Sequence, residues 1–175
     1  MEIANNFISE EDCLSLINYI NSKELSLHEN PNPKYDGRRM LWNPVDEECM
    51  SILGKYIVSI GRMMDTPLYP HDIALLKYYP GVGMALHSDH DGPCVGQCTY
   101  SSIMHISDDY TGGEITFPAL NKTIKLKAGD LLFFPQIGDE WQHSVSDITS
   151  GERYSIITCW SPNKDMVREQ YLDLV

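Results

Sequence analysis

No run of about 18 consecutive apolar residues occurs in this 175-residue chain, so a transmembrane helix is not expected. The opening stretch, "MEIANNFISEEDC", has no basic segment followed by an apolar one. No secretory signal is therefore expected, and a cytoplasmic location is. Positive charge is scarce: 13 Lys and Arg stand against 25 Asp and Glu, a formal net charge of −12. Such a chain repels phosphate backbones, which argues against nucleic acid as a partner. A peptide, a protein or a small molecule is the expected partner, with no membrane involved. The five Cys are an odd number and do not suggest a disulfide framework. Cys94 and Cys98 form a lone C-x3-C, with no second pair to complete a structural zinc site. Repeats and low-complexity segments are absent too.

What is present fits one globular domain over 1–175, with 42% apolar and 22% charged residues. "ISEEDCLSLINYI" predicts a first helix capped by Ser9, with Asp12 at the capping-box position and Leu14, Leu16, Ile17 and Ile20 as its apolar face. Residues 28–44 are rich in Pro, Asn and Gly and predict a long loop carrying Tyr35, Arg38, Arg39 and Trp42, a candidate lid. Asn43 and Pro44 suit the cap and first turn of a second helix reaching about Met64. Residues 1–70 thus read as helical support and loop.

After Pro70 the texture changes to short apolar runs: "IALLKYY", "YSSIMHI", "EITFP", "TIKLK", "DLLFFP", "HSVSDI" and "YSIITCW". Turn signals such as "PGVG", "DDYTGG", "KAGD" and "TSGE" separate them. Many short strands with frequent turns predict a β-sandwich or barrel over 71–162. Residues 163–175 predict a short C-terminal helix.

One stretch is dense in groups that bind metals, "HSDHDG" at 87–92. Flanking glycines argue against a helix, and at a strand end His87 and Asp89 face the same way. His90 and Asp91 then fall in a solvated turn. A third ligand must come from elsewhere. His28, His71, His105 and His143 are available, and His143 begins a strand preceded by "GDEWQ". Arg153 and Ser155 share a strand face by the same alternation. An Arg fork grips a carboxylate in bidentate fashion, and a Ser hydroxyl adds a hydrogen bond. Two imidazoles and one carboxylate with open positions form the facial triad of non-haem Fe(II) oxygenases. A neighbouring Arg would then hold the far carboxylate of a 2-oxo diacid.

From about Ala74 to Trp160 the chain resembles the Fe(II)- and 2-oxoglutarate-dependent dioxygenases of the prolyl 4-hydroxylase type. "KYYPGVGMALHSD" is similar to the family's Y-x-x-G…H-x-D strand, and "SDDYTGGEITFP" to its turn ending in G-G-E-x-x-F-P. "LKAGDLLFFP" and "EWQHSVSDITSGERYSII" resemble the following strand and the distal-His and basic-residue segment. The resemblance implies a double-stranded β-helix, or jelly roll, mainly β with N-terminal helices packed on one sheet. It implies iron ligands at His87, Asp89 and His143. It implies 2-oxoglutarate contacts from Arg153, from Ser155 and from Tyr78, with Tyr79 as the alternative tyrosine. The cofactors it implies are Fe(II), 2-oxoglutarate and O2, with ascorbate as a stimulant. The implied reaction is hydroxylation of an unactivated C–H bond, of a prolyl residue in a peptide or protein, with release of succinate and CO2. Alternatives are the same chemistry on a free amino acid or small metabolite, or a non-catalytic jelly-roll binding module. Two positions depart from the collagen-type branch: Arg153 stands where it usually carries Lys, and His105 where it often has Tyr.

Overall fold

An apolar run as continuous as "IALLKYY" has no exposed face to offer, so it belongs on a strand covered from both sides. The computed structural model describes residues 1–27, 39–44, 46–91 and 98–174. In chain order its elements begin β1 (Glu2–Ala4), α1 (Glu10–Ser22), β2 (Ser26–Leu27), β3 (Arg39–Trp42), α2 (Glu47–Gly61), β4 (Tyr69–Tyr78) and β5 (Met84–His87). They continue with β6 (Tyr100–His105), β7 (Tyr110–Gly112), β8 (Ile115–Phe117), β9 (Lys122–Ile124), β10 (Leu131–Pro135), β11 (His143–Val145), β12 (Ile148–Gly151) and β13 (Arg153–Ser161). One antiparallel sheet runs β1-β10-β6-β13-β4-β3-β2, a second runs β5-β11-β8-β9, and β12 pairs with β7 alone.

The two faces of the large sheet explain its composition. Ile73 and Leu75 of β4 pack outward against Leu16 and Ile20 of α1 and Leu53, Ile57 and Ile60 of α2. Ala74, Leu76 and Tyr78, the alternate residues, face inward. Between the sheets, Ile103, Leu132 and Phe134 meet Ile115, Phe117 and Val145. Each fully buried aliphatic side chain contributes roughly 1.5–3 kcal/mol. Packing of this kind, more than intrinsic propensity, holds short helices in place. Among the described residues no helix is long and apolar enough to cross a membrane.

All seven apolar runs carry strands, but several expectations need correction. Ser9 caps α1 as expected, accepting from Asp12 N at 3.2 Å. Leu14 is 57% exposed, however, and the buried stripe is Cys13, Leu16, Tyr19 and Ile20. Leu14 lies two residues from Leu16, on the other side of a 3.6-residue turn. The cap of α2 is Asp46, which accepts from Cys49 N at 3.0 Å, not Asn43. Asn43 instead ties the chain to β4. With φ +48° it accepts from Ile73 N and donates to Asp72 Oδ1, each at 2.8 Å. The helix ends at Gly61, short of Met64.

The β-core is not confined to 71–162, because β1 and β3 join the large sheet from the N-terminal part. Residues 39–42 of the expected loop are therefore strand, while 28–38 lie outside the described residues. "DDYTGG", read as a turn, contains β7. The C-terminal segment is not an α-helix but two 3-10 turns, Lys164–Met166 and Glu169–Leu174. Its anchors are three residues apart, the repeat of a 3-10 helix. Arg168 donates to Asp72 Oδ1 at 2.6 Å and Tyr171 donates to Asn43 Oδ1 at 3.2 Å.

Gly112 has φ +80°, and a Cβ there would run into the carbonyl oxygen of Asp147. Gly112→Ala is expected to cost more than about 1 kcal/mol, seen as a lower urea midpoint with an unchanged slope.

Candidate active site

Antiparallel pairing of β5 with β11 sets His143 directly opposite His87. The two ring centroids lie 4.3 Å apart. His87 Nδ1 is 2.8 Å from Ala85 O, and His143 Nδ1 is 3.1 Å from Trp141 O. A carbonyl only accepts, so each Nδ1 donates to it, and each Nε2 faces Asp89. Asp89 does not share a strand with His87, as the alternation had suggested. The strand stops at His87 and Asp89 opens a 3-10 turn, Asp89–Asp91. Ser88 helps end the ladder by accepting from His90 N at 3.2 Å, a local bond that competes with strand pairing. The convergence survives this change of geometry. Asp89 Oδ1 lies 3.4 Å from His87 Nε2 and 3.9 Å from His143 Nε2. One ligand atom from each of the three falls within 4.8 Å of the others, and this is the one such group among the described residues.

The other oxygen of Asp89 accepts from Ser101 Oγ at 2.5 Å. Burial alone would raise the carboxyl pKa. The facing imidazoles and the Ser101 hydroxyl outweigh it and hold Asp89 well below the usual carboxylate range. Burial pushes the His143 imidazole down, toward its neutral form. Phe117 and Phe134 wall His143, with ring centroids at 5.2 and 5.1 Å. Two imidazoles beside an ionised carboxylate in an apolar wall are a donor set suited to a divalent transition metal.

Arg153 is 1% exposed and donates to Ser155 Oγ at 3.1 Å, so the two do share a face. Its guanidinium carbon sits 4.8 Å over the Tyr78 ring. It forms no ion pair among the described residues, and its Nε has no hydrogen-bond partner there. A buried cation without a counter-charge is costly, so the position is chemically suited to an anion. Tyr78 is buried on this inner face. Tyr79 is half-buried on the other side, in an outer groove with Ile20, Asn21 and Lys23. Ile157 packs against both inner clusters and joins the Arg153 end to the imidazole end.

His105 belongs to this interior, its Nε2 2.7 Å from the Tyr110 hydroxyl. Burial and then the charges of Arg153 and Lys125 push its pKa well below the ordinary value, so it is neutral. His71 is elsewhere, 3.0 Å from Asp72 in the network that anchors the C-terminal turns. His90 is half-buried rather than solvated. Trp160 is core, fully buried and donating to Ser102 Oγ at 2.8 Å. His28, Tyr35, Arg38 and Cys94 lie outside the described residues, and with them the 28–38 part of the candidate lid and one member of the C-x3-C pair.

Three residues of the site went unread in the sequence. Ser101 shares strand parity with Ile103 and His105, so a hydroxyl at an inward position was its signal. Gln136, buried after "LLFFP", is a lone polar residue in an apolar context. Tyr110 sits inside a turn-like stretch and gave no sign.

The profile of the 2OG-Fe(II) oxygenase superfamily matches residues 73–161, just over half of the chain. This chain belongs to that superfamily. A PKHD-type hydroxylase of Prochlorococcus marinus (strain MIT 9215) is 24% identical over 119 residues, which cover 65% of this chain and 52% of that protein. A PKHD-type hydroxylase of Parvibaculum lavamentivorans is 33% identical over 89 residues, 49% of this chain and 39% of that one. The chain thus spans about half, or less, of the curated relatives it matches. Among solved structures, the viral collagen prolyl hydroxylase of Paramecium bursaria Chlorella virus-1, as its 2OG complex, superimposes with a TM-score of 0.70 at 22% identity. The match covers 91% of this chain and 94% of that one. A Trichoplax adhaerens prolyl hydroxylase, in complex with a hypoxia inducible factor peptide fragment, gives a TM-score of 0.74 at 20% identity. It covers 94% of this chain and 84% of that chain. These likenesses establish the oxygenase fold, a mainly β jelly roll with helices against one sheet, as the sequence led us to expect.

Proposed function

We propose that this oxygenase-family chain is an Fe(II)- and 2-oxoglutarate-dependent dioxygenase that hydroxylates a prolyl residue of a peptide or protein, releasing succinate and CO2. The observation that carries the reading is the pairing of two sites in one interior. His87 Nε2, His143 Nε2 and Asp89 Oδ1 face one point, and a buried guanidinium with no ion pair among the described residues lies in the same interior. His87, Asp89 and His143 hold the metal. Arg153 takes the 5-carboxylate of 2-oxoglutarate, with Ser155 fixing one guanidinium nitrogen and the Tyr78 ring supporting the other face. When bound, iron with 2-oxoglutarate and O2 supplies the oxidising power to functionalise an unactivated C–H bond. The chain's own residues orient and shield. The backbone carbonyls of Ala85 and Trp141 fix the imidazole tautomers, and Phe117 and Phe134 exclude water from His143. The prolyl substrate is supported by the two similar solved structures described above, which are prolyl hydroxylases.

The test is succinate release from 2-oxoglutarate with Fe(II), O2 and ascorbate, with proline-containing peptides scanned by mass spectrometry for a gain of one oxygen. Turnover with peptide oxidation is expected. Peptides left unmodified while a small amino acid gains oxygen would replace the substrate class. No turnover, with no iron retained, would leave a binding module.

A further inference from the structure

The strongest unassigned feature is a chain of buried polar groups behind Asp89. Ser101 and Gln136 are 0% and 1% exposed. They sit on neighbouring strands, since β10 pairs with β6 through Phe134↔Ser101 and Pro135↔Tyr100, and Gln136 follows directly. Gln136 N donates to Thr99 O at 2.8 Å, which pins its backbone to the start of β6. Its side-chain Nε2 lies 2.8 Å from Ser101 Oγ, and that hydroxyl lies 2.5 Å from Asp89 Oδ2.

Proton counting sets the direction of every bond. An ionised carboxylate only accepts, and a serine hydroxyl has one proton. Ser101 must therefore give that proton to Asp89 Oδ2. The group facing Ser101 from Gln136 must then be a donor, the amide NH2. The opposite amide orientation would set the Gln136 carbonyl against the Ser101 oxygen, with the only proton already committed. Gln136 Oε1 accordingly points away and has no partner among the described residues. The result is a one-way relay, Gln136 to Ser101 to Asp89, that occupies Oδ2. Oδ1 is left for the two imidazoles, at 3.4 and 3.9 Å from their Nε2 atoms.

We propose that Ser101 is a positioning residue, itself oriented by Gln136, that makes Asp89 a one-oxygen ligand through Oδ1. It touches neither substrate nor metal. It holds the carboxylate with Oδ2 turned to Ser101 and Oδ1 toward the two imidazoles, so that a metal would meet an oriented ligand and need not order it. The inference rests on the metal reading above. Partners around a first ligand of this kind commonly change metal affinity by about 10- to 100-fold when removed.

The experiment titrates Mn(II) into the metal-free full chain by calorimetry, without 2-oxoglutarate, and records the melting temperature of each metal-free variant. Wild type must bind one Mn(II); if it does not, the metal reading itself fails, separately from this inference. Ser101→Ala is expected to weaken Mn(II) by about 10- to 100-fold, and Gln136→Leu by a smaller factor of about 3- to 30-fold. Ser101→Thr, which keeps the hydroxyl, is expected to stay within about threefold of wild type. Mn(II) affinity in Ser101→Ala within about threefold of wild type overturns the proposal. So does a loss that Ser101→Thr fails to restore, or one that simply follows a fall in melting temperature. If Ser101→Ala does not fold, the Gln136→Leu titration decides by the same criteria.

Discussion

Asp89→Ala and His143→Ala are each expected to lower iron-dependent turnover of 2-oxoglutarate by about a thousandfold or more. A metal in such a site supplies several kcal/mol of charge stabilisation, and each ~1.4 kcal/mol is tenfold in rate. Asp89 brings the only formal negative charge to the cluster of His87 and His143. Without it, two neutral imidazoles 4.3 Å apart face a divalent cation unaided. The metal-free fold should be largely indifferent, because Asp89 is bonded mainly to the other site residues and to Ser101. Turnover in the presence of excess Fe(II) is the measurement, with the melting temperature as control. Activity near wild type in either variant would remove that residue from the metal site.

Arg153→Met is expected to raise the KM for 2-oxoglutarate by about a hundredfold or more, with kcat at saturation much less affected. Losing one member of a buried charge pair costs roughly 3–5 kcal/mol. A carboxylate remote from the reacting bond contributes binding that is alike in ground and transition states, so the loss falls on KM. The same change should hold or raise the stability of the ligand-free protein. The guanidinium is 1% exposed and has no ion pair among the described residues, so a methionine of similar length removes an uncompensated buried charge. Steady-state kinetics and a urea titration on one preparation check both arms. A clear loss of stability with an unchanged KM would recast Arg153 as a structural residue.

How much of this was legible depended on whether the signal was local. The seven strand-bearing runs were readable because a sheet covered on both faces demands unbroken apolar stretches. His87, Asp89 and His143 were readable from residue type and order, yet the alternation argument that joined His87 to Asp89 was not how the chain does it. A 3-10 turn set off beside Ser88 delivers Asp89 instead, and both routes end at the same point. The cap of α2 was misread because Asn43 has good capping chemistry that the fold directs to Asp72 and Ile73, 29 and 30 residues away. Gln136 stood out as a polar residue after an apolar run, but its role went unread for the same reason, since it acts through Ser101 on an adjacent strand 35 residues distant. Tyr110 is only five residues from His105, and it was hidden by the turn-like stretch around it. Arg168 and Tyr171 look like helix residues until Asp72 and Asn43 are brought beneath them.

The central claim is that one iron ion sits among His87, Asp89 and His143. Anomalous diffraction at the iron edge, from crystals equilibrated anaerobically with Fe(II) and 2-oxoglutarate, addresses it directly. The account predicts a single peak at bonding distance, about 2.0–2.2 Å, from His87 Nε2, His143 Nε2 and Asp89 Oδ1, with the ligand's far carboxylate on Arg153. An iron peak bound by other residues, or none at these three, would contradict it.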